Sequence, residues 1–190
     1  MRPQARTALH VAALLLTLGI TTFAINPTPL HAEQSTEVPE RESLRGLVGV
    51  EVFVEPMNIE IEQRGVQTVK LQSDIRQRLQ KAGITVLTER ERVATPTAAM
   101  LVVRVDAVHD RIGRFFYSID LFLTQRVRLE GHVASELSAV TWTKPGGIGI
   151  IADDNVQHLE DQVLHKVDQF IKDHVAVNPD RRTSDPLRRP

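Results

Sequence analysis

The stretch TWTKPGGIGIIADDN, at 141–155, has the residue types of a phosphate-binding loop, because a Gly-Gly-x-Gly loop runs into a periodic helix. Such a loop needs backbone N–H groups at a helix start that is free of negative charge, commonly with a lysine beside it. Here Asp153 and Asp154 occupy the predicted helix start, where carboxylates cap the N–H groups and repel phosphate. Lys144 precedes the glycines, and neither G-x-x-x-x-G-K-[ST] nor G-x-G-x-x-G is present. The sequence therefore predicts a connection here and no nucleotide or other cofactor.

A second group with chemical potential is His158, Asp161 and His165, which follow an i, i+3, i+7 spacing on one helix face. Such a stripe could bind a metal ion, although the HExxH motif is absent and a face rich in Asp, Lys and His is usually solvated. The favoured interpretation is that no metal binds. The alternative is a small exported metal-binding protein or enzyme that uses this polar face. His174 falls on the apolar stripe of the same helix, so we expect it to pack in the core.

Other catalytic patterns are missing from the chain. It has no Gly-x-Ser-x-Gly motif and no cysteine, and no serine follows a strand at a sharp turn into a helix. The sequence therefore predicts a protein without catalytic activity. Trp142 and Tyr117 could be exposed anchors for a partner, but core or sheet-edge packing is the favoured interpretation because aromatic residues are only 4% of the chain.

Composition limits the classes of function. The chain has 190 residues, enough for one domain with terminal extensions. Its formal net charge of −1 excludes a broad basic footprint for nucleic acid. The absence of cysteine excludes disulfides, thiolate metal sites and the acylated cysteine of a bacterial lipoprotein.

The N-terminus has the organisation of a secretory signal. Arg2 and Arg6 precede the apolar run HVAALLLTLGITTFAI, and small residues follow. Ala32 is the favoured cleavage position, with Ala24 second. The sequence therefore predicts a signal peptide over 1–32 and a periplasmic or secreted protein.

An uncleaved membrane anchor is the alternative for this segment. A spanning helix needs about 20 apolar residues, and prolines at 27 and 29 interrupt the run early. We therefore expect no stable membrane span after cleavage.

The rest of the chain divides into three parts. The segment 33–43 is polar, acidic and contains proline, which predicts a flexible leader. A single domain is expected over 44–178. The segment 179–190 carries three prolines and four arginines, and we expect a disordered tail.

Apolar periodicity predicts an α+β fold over 44–178. A strand at 46–56, a helix at 68–82 and a strand at 84–88 form a β-α-β unit, and the intervening 59–65 is either an irregular connection or a short edge strand. After a polar connection, an antiparallel three-strand meander is expected at 100–108, 115–129 and 133–142. The middle strand is long enough that it should bend or bulge, and Phe116 and Phe122 interrupt its polar face. A C-terminal helix over 156–175 completes the pattern, with two helices packed on one face of a mixed sheet.

Two sets of segments resemble known families. LQSDIRQRLQKAGITVLTERERV resembles part of a broad group of bacterial envelope domains, which includes the curli-secretion lipoproteins and the lipoprotein activators of peptidoglycan synthases. That likeness covers about 45–175 and is architectural. LRGLVGVEVFVEP, LQSDIRQRLQKAGI, SAVTW and VNP are similar to an uncharacterised family of small exported bacterial proteins, to which no activity is attached. The signal segment, the order of the elements and the missing catalytic motifs together predict an exported accessory or binding protein of the cell envelope, with an envelope protein as partner. Self-association through an exposed sheet edge is a further alternative.

Overall fold

The computed structural model describes residues 37–130 and 136–179. The expected signal peptide at 1–32, the start of the expected leader, and the tail from residue 180 lie outside these residues. Within them the helices and strands follow one another in this order: α1 Glu37–Glu42, β1 Val50–Val54, α2 Ile59–Gln63, α3 Thr68–Lys81, β2 Val86–Leu87, α4 Glu89–Ala94, β3 Ala99–His109, β4 Arg114–Arg128, β5 Glu136–Lys144, β6 Ile148–Ala152 and α5 His158–Val177.

The strands form one mixed sheet in the order β2-β1-β3-β4-β5, with β6 also pairing with β4. β1 pairs in parallel with β2 and with β3, whereas β4 is antiparallel to β3, β5 and β6. The predicted α+β fold, with a parallel β-α-β start, a meander and a C-terminal helix, is confirmed. The register between β4 and β5 shifts where Leu123 pairs with Trp142 and Thr124 pairs with Val140. The extra residue is Thr141, so the irregularity lies in β5, whereas the long strand β4, which was expected to bend or bulge, pairs with β3 without a register shift.

Two amphipathic helices cover one face of the sheet, as predicted. The inner side of α3 buries Leu71, Ile75 and Leu79, each at the three- or four-residue spacing that puts side chains on one stripe. The inner side of α5 does the same with Leu159, Val163, Val167, Phe170, His174 and Val177. All of the apolar members join one core cluster with alternate residues of β1, β3 and β4. Ion pairs from Lys70 and Arg78 of α3 to Glu160 and Asp168 of α5 join the outer rims of the helices.

The expected leader differs from the structure, because α1 forms inside the segment 33–43 and the chain after it is packed. Leu44 and Leu47 are buried in the core. Asn178, just after α5, donates from Nδ2 to the carbonyl oxygen of Leu44 at 2.9 Å and accepts from Gly46 N–H at 2.8 Å. The difference from the expected leader is therefore α1 itself, whereas Leu44 and Leu47 belong to the domain that was expected from residue 44.

Two short helices occupy segments that were expected to be connections or an edge strand. α2 buries Ile61, and the Asn58 side chain caps it by accepting from the N–H of Glu60. α4 begins with a capping box in which the Thr88 hydroxyl and the Glu91 carboxylate each accept from the other residue's N–H. These hydrogen bonds hold the pKa of Glu91 below its usual range. Such one-turn helices are specified by caps and single buried residues, so they carry no extended periodicity.

The glycine-rich stretch contains an additional strand where only a connection was predicted. β5 ends at Lys144. β6 then pairs with the same edge of β4 that β5 pairs with, and it places Ile148 opposite Ser118 and Ala152 opposite Arg114. The predicted third meander strand at 133–142 therefore lies at 136–144, with 133–135 outside the described residues. After β6 the chain forms a short 3₁₀ helix, Asp153–Asn155, and α5 begins at His158. Asp153 and Asp154 consequently do not cap α5, which was expected to begin at 156.

Candidate functional site

The stripe of His158, Asp161 and His165, which was the alternative to a protein without a metal site, does not assemble a group of ligands among the described residues. No group of three or more His, Asp or Glu side chains in 37–130 or 136–179 could hold a metal ion. His158 and Asp161 are exposed on α5, and His165 lies 3.0 Å from the side-chain amide nitrogen of Gln169. The structure therefore does not bring His158, Asp161 and His165 together as a set of ligands. His174, in contrast, is buried on the inner side of α5 as predicted.

Trp142 is a core residue and not an exposed anchor. Its side chain is 2% exposed, its ring meets Phe170 edge-on with centroids 5.2 Å apart, and its Nε1–H donates to Asp173 at 3.2 Å. Tyr117 is half-buried and packs against the core, and its ring also lies against the backbone of Gly149. The suggested partner-binding role of these two aromatics is thus replaced by the packing role that was favoured.

The face of the sheet opposite α3 and α5 carries an exposed apolar cluster at one end. The register places Val108, Phe116 and Ile150 side by side on β3, β4 and β6, and Ile148 lies two residues from Ile150 on the same face. Ile112 lies in the turn that joins β3 to β4. These five residues, 38–84% exposed, are called the open-face patch below. An exposed apolar cluster of this kind is typical of an interaction surface.

Elsewhere on the open face, charged pairs lie among the strands, and the exposed apolar side chains of Phe53 and Val140 are separate from the patch. Arg104 pairs with Glu55 at 2.8 Å and lies over the Phe122 ring, 5.4 Å from its centroid. This hydrogen bond holds the pKa of Glu55 below its usual range. Arg92 of α4 pairs with Glu51 at the β1 end of the face. Apolar exposure on β3, β4 and β6 is therefore concentrated at the hairpin end of the face.

Asp110 organises the hairpin turn that bears Ile112. One carboxylate oxygen accepts from the N–H groups of Ile112 and Arg114, and the other accepts from Arg114 Nε, each at 2.9 Å. Gly113 supplies the left-handed residue of the turn, with φ of 81°. Burial raises the pKa of the Asp110 carboxyl, but the hydrogen bonds from Arg114 and Ile112 outweigh it and hold this pKa below its usual range.

Asp110→Asn is expected to loosen this turn without unfolding the domain. The amide keeps one acceptor but loses the charge and turns donors toward the Arg114 guanidinium. Hydrogen-exchange protection at the N–H groups of Ile112 and Arg114 should fall, measured by NMR. Because the folded pKa is depressed, the wild-type protection should be present above the ordinary Asp range near about pH 4 and be lost as the pH falls through the folded pKa. Asp106→Asn, four residues earlier in β3, is the control. Equal losses of hydrogen-exchange protection in both variants would contradict the role of Asp110.

A cluster of charged side chains fastens the end of β6 to α2. The Arg64 guanidinium pairs with Asp153 through two nitrogens and lies over the Phe115 ring, 5.0 Å from its centroid. His109 Nε2 lies 3.7 Å from the same Asp153 carboxylate, and its ring centroid lies 4.6 Å from that of Phe115. The Asp153 carboxylate is thus engaged by a cation, and the cluster fixes the strand that completes the open-face patch.

Sequence reasoning missed the open-face patch, although it contained a signal for it. Phe116 was recognised as an apolar interruption of a polar strand face. The patch required two further facts, namely that Val108 is its partner on β3 and that Ile150 lies on a strand at all.

Among the residues that the structure describes, no helix combines the length and apolar character needed to cross a membrane. The chain matches no protein-family model and no curated protein sequence.

One solved structure is similar to this chain at a low level. It is described as a homolog of the neuraminyllactose-binding hemagglutinin, from Helicobacter pylori. The sequences are 12% identical, the match covers 75% of this chain and 86% of that chain, and the TM-score is 0.28. A likeness at this level carries no argument about function.

Proposed function

We propose that this protein is an exported, non-catalytic binding protein of the bacterial cell envelope that docks a protein partner on the open-face patch. The observation that carries the proposal is the patch itself, where Val108, Phe116, Ile148 and Ile150 align across three strands with Ile112 at the adjoining turn. Export is supported by the basic and apolar organisation of residues 1–32, and an envelope role by the resemblance to small exported bacterial proteins.

The chemistry of the patch favours a protein partner. The charged residues that border it are of both signs, with Arg111 and Arg114 at the turn and Asp106 and Asp110 beside them. A nucleic acid would require a basic surface, and this border is balanced. Apolar contact therefore selects the partner, and the charges around it orient the docking.

The double variant Val108→Ser, Ile112→Ser should lose the partner while the domain remains folded. Both side chains are largely exposed, so their replacement costs little core packing. Loss of two apolar anchors should weaken binding by at least about tenfold, which corresponds to about 1.4 kcal/mol. The measurement is quantitative recovery of one stoichiometric envelope protein with the tagged full chain, compared by mass spectrometry across variants.

Val69→Ser is the matched control, because Val69 is 81% exposed on α3, far in the sequence from the patch and not part of it. Equal capture by wild type and Val69→Ser, with loss in the double variant, is the expected result. If all three forms recover the same proteins in the same amounts, docking on the patch is wrong.

Fractionation tests the location separately. The chain should be found in the envelope or medium, and N-terminal sequencing should begin at Glu33, or at Ile25 if the Ala24 position is used. A full-length chain retained in the cytoplasm would exclude the envelope role.

A further inference from the structure

We infer that two copies of this chain pair through the outer edge of β6, antiparallel about a two-fold axis at Ile150, and so join two open-face patches into one surface. The pairing itself is independent of the proposed function. Only the role of the joined surface, as one larger docking site, rests on that function. Its own evidence comes from the hydrogen-bonding pattern, composition and charge of β6.

The hydrogen-bond alternation of β6 turns one set of backbone groups outward. Within residues 37–130 and 136–179, β6 pairs only with β4. Asp153 N–H donates to the carbonyl oxygen of Gly113 at 3.0 Å, which fixes the residues that bond toward β4. Because alternate residues of an antiparallel strand bond to opposite sides, the N–H and C=O groups of Ile148, Ile150 and Ala152 point away from β4.

This edge lacks the features with which natural edge strands avoid pairing. Such strands usually carry charges or proline, or are covered by another element. The strand sequence IGIIA has neither a charge nor a proline, although 25% of the chain is charged. Along the same line, β5 is partly covered, since the Ser43 hydroxyl next to α1 donates to the carbonyl oxygen of Thr141 at 2.9 Å. β5 also carries the charged residues Glu136 and Lys144, so β6 is the uncharged part of this edge.

The outward groups are self-complementary. With Ile150 opposite its own copy, Ile148 of one chain meets Ala152 of the other, so every outward N–H finds an outward C=O across the axis. Both Ile150 side chains stay on the open face. The row Val108, Phe116, Ile150 then continues into the same row of the second copy, in reverse order.

The charges at the ends of β6 favour the same arrangement. Lys144 precedes β6, and the Lys166 ammonium donates to the carbonyl oxygen of Pro145 at 3.1 Å. Asp120 accepts from Gly146 N–H at the same place, so two ammonium groups and one carboxylate leave the start of the strand net positive. Asp154, just after the end of β6, is exposed. An antiparallel pairing sets the basic start of each strand beside the acidic end of the other. This complementarity, together with the symmetry, argues for a second copy of the chain as the occupant of the edge.

A single cysteine tests the pairing directly, because the chain has none of its own. Ile150→Cys in the full chain should form a covalent dimer on mild oxidation, since directly opposed hydrogen-bonded residues have Cα atoms about 5.5 Å apart, within the range of a disulfide. Val108→Cys is the matched control. Its side chain is on the same face and is somewhat more exposed, 69% against 58% for Ile150. It lies two strands inside the edge, so it should give at least about tenfold less dimer, because its Cα could not approach its copy within about 7 Å.

The register has its own test. A mixture of Ile148→Cys and Ala152→Cys chains should form mixed disulfides, whereas neither variant should cross-link efficiently with itself. Light scattering on the unmodified chain should show a dimer that dissociates on dilution. A monomer at every concentration, or a dimer in which Val108→Cys cross-links as well as Ile150→Cys, would overturn the pairing.

The two proposals fail in distinguishable ways. If partner capture depends on Val108 and Ile112 but Ile150→Cys forms no cross-link, the pairing through β6 is wrong and docking on the patch is supported. If Ile150→Cys cross-links specifically but partner capture is unchanged in the Val108→Ser, Ile112→Ser variant, the pairing is supported and docking on the patch is wrong.

Discussion

Gly146→Ala is expected to lower the free energy of unfolding by about 3 kcal/mol, the upper part of the range for inserting a methyl group into packed structure. A Cβ at this position would lie 2.8 Å from the carbonyl carbon and from the nitrogen of Ile119, and closer still to its carbonyl oxygen. These atoms belong to β4, whose Ile119 is paired with Val105 of β3, so they cannot move away without disturbing the sheet. The Gly146 N–H also donates to Asp120 at 3.0 Å, and displacement would weaken that bond. Urea unfolding followed by circular dichroism measures the change.

Gly147→Ala is the matched control for this substitution. A Cβ at Gly147 would meet no atom within 4 Å, and the residue's φ lies outside the left-handed region. Its substitution should change stability by less than about 1 kcal/mol, and it could increase stability by restricting the unfolded chain. Similar losses in both variants would contradict close approach to β4 as the reason for the glycine at 146.

These neighbouring glycines explain why the stretch resembled a ligand-binding loop. Glycine allows close approach of a backbone to a phosphate, and it equally allows close approach of one strand to another. At Gly146 the approaching group is the backbone of β4. At Gly149 it is the Tyr117 ring, whose Cε1 would be 2.6 Å from an added Cβ. Both interpretations need glycine. Asp153 and Asp154 already argued against a phosphate, and the position of β6 beside β4 shows which groups approach the glycines instead.

The long elements were predictable because their periodicity spans several turns or pleats. α3 and α5 present three or more buried residues at helical spacing, and β4 alternates over fifteen residues. The elements that were missed are short. α1, α2, α4 and β6 have five or six residues each, and no periodic pattern can be established over that length. Their positions depend on contacts made far along the chain, such as the ion pair of Arg64, just after α2, with Asp153, just after β6.

The open-face patch was less predictable than the fold. Apolar residues on a strand face are visible in a sequence only as interruptions of a polar pattern, as at Phe116. Whether they form a cluster depends on register, since Val108, Phe116 and Ile150 are distant in sequence and adjacent only through pairing. Trp142 shows the opposite difficulty. Tryptophan is a residue type that often anchors a partner, but here the ring is buried because Phe170 of α5 packs against it.

Trp142→Ala is expected to lower the free energy of unfolding by about 3–5 kcal/mol, the usual range for truncation of a large buried aromatic residue. The ring is 2% exposed and its edge-on contact with Phe170 links β5 to α5. Alanine leaves a void between the sheet and the helix that neither element can close without moving the other. Because Trp142 is the only tryptophan, unfolding should be followed by circular dichroism in urea rather than by fluorescence.

Trp142→Phe separates the packing of the ring from its hydrogen bond. Phenylalanine keeps an aromatic contact with Phe170 but loses the Nε1–H bond to Asp173, for which we expect a cost of about 1–2 kcal/mol. Asp173 retains its ion pair with Arg41 at 3.1 Å, so its charge is still compensated. A Trp142→Ala cost within about 0.5 kcal/mol, the range of exposed substitutions, would contradict the packing role of Trp142. A Trp142→Phe cost equal to that of alanine would instead make the hydrogen bond to Asp173 the main link between β5 and α5.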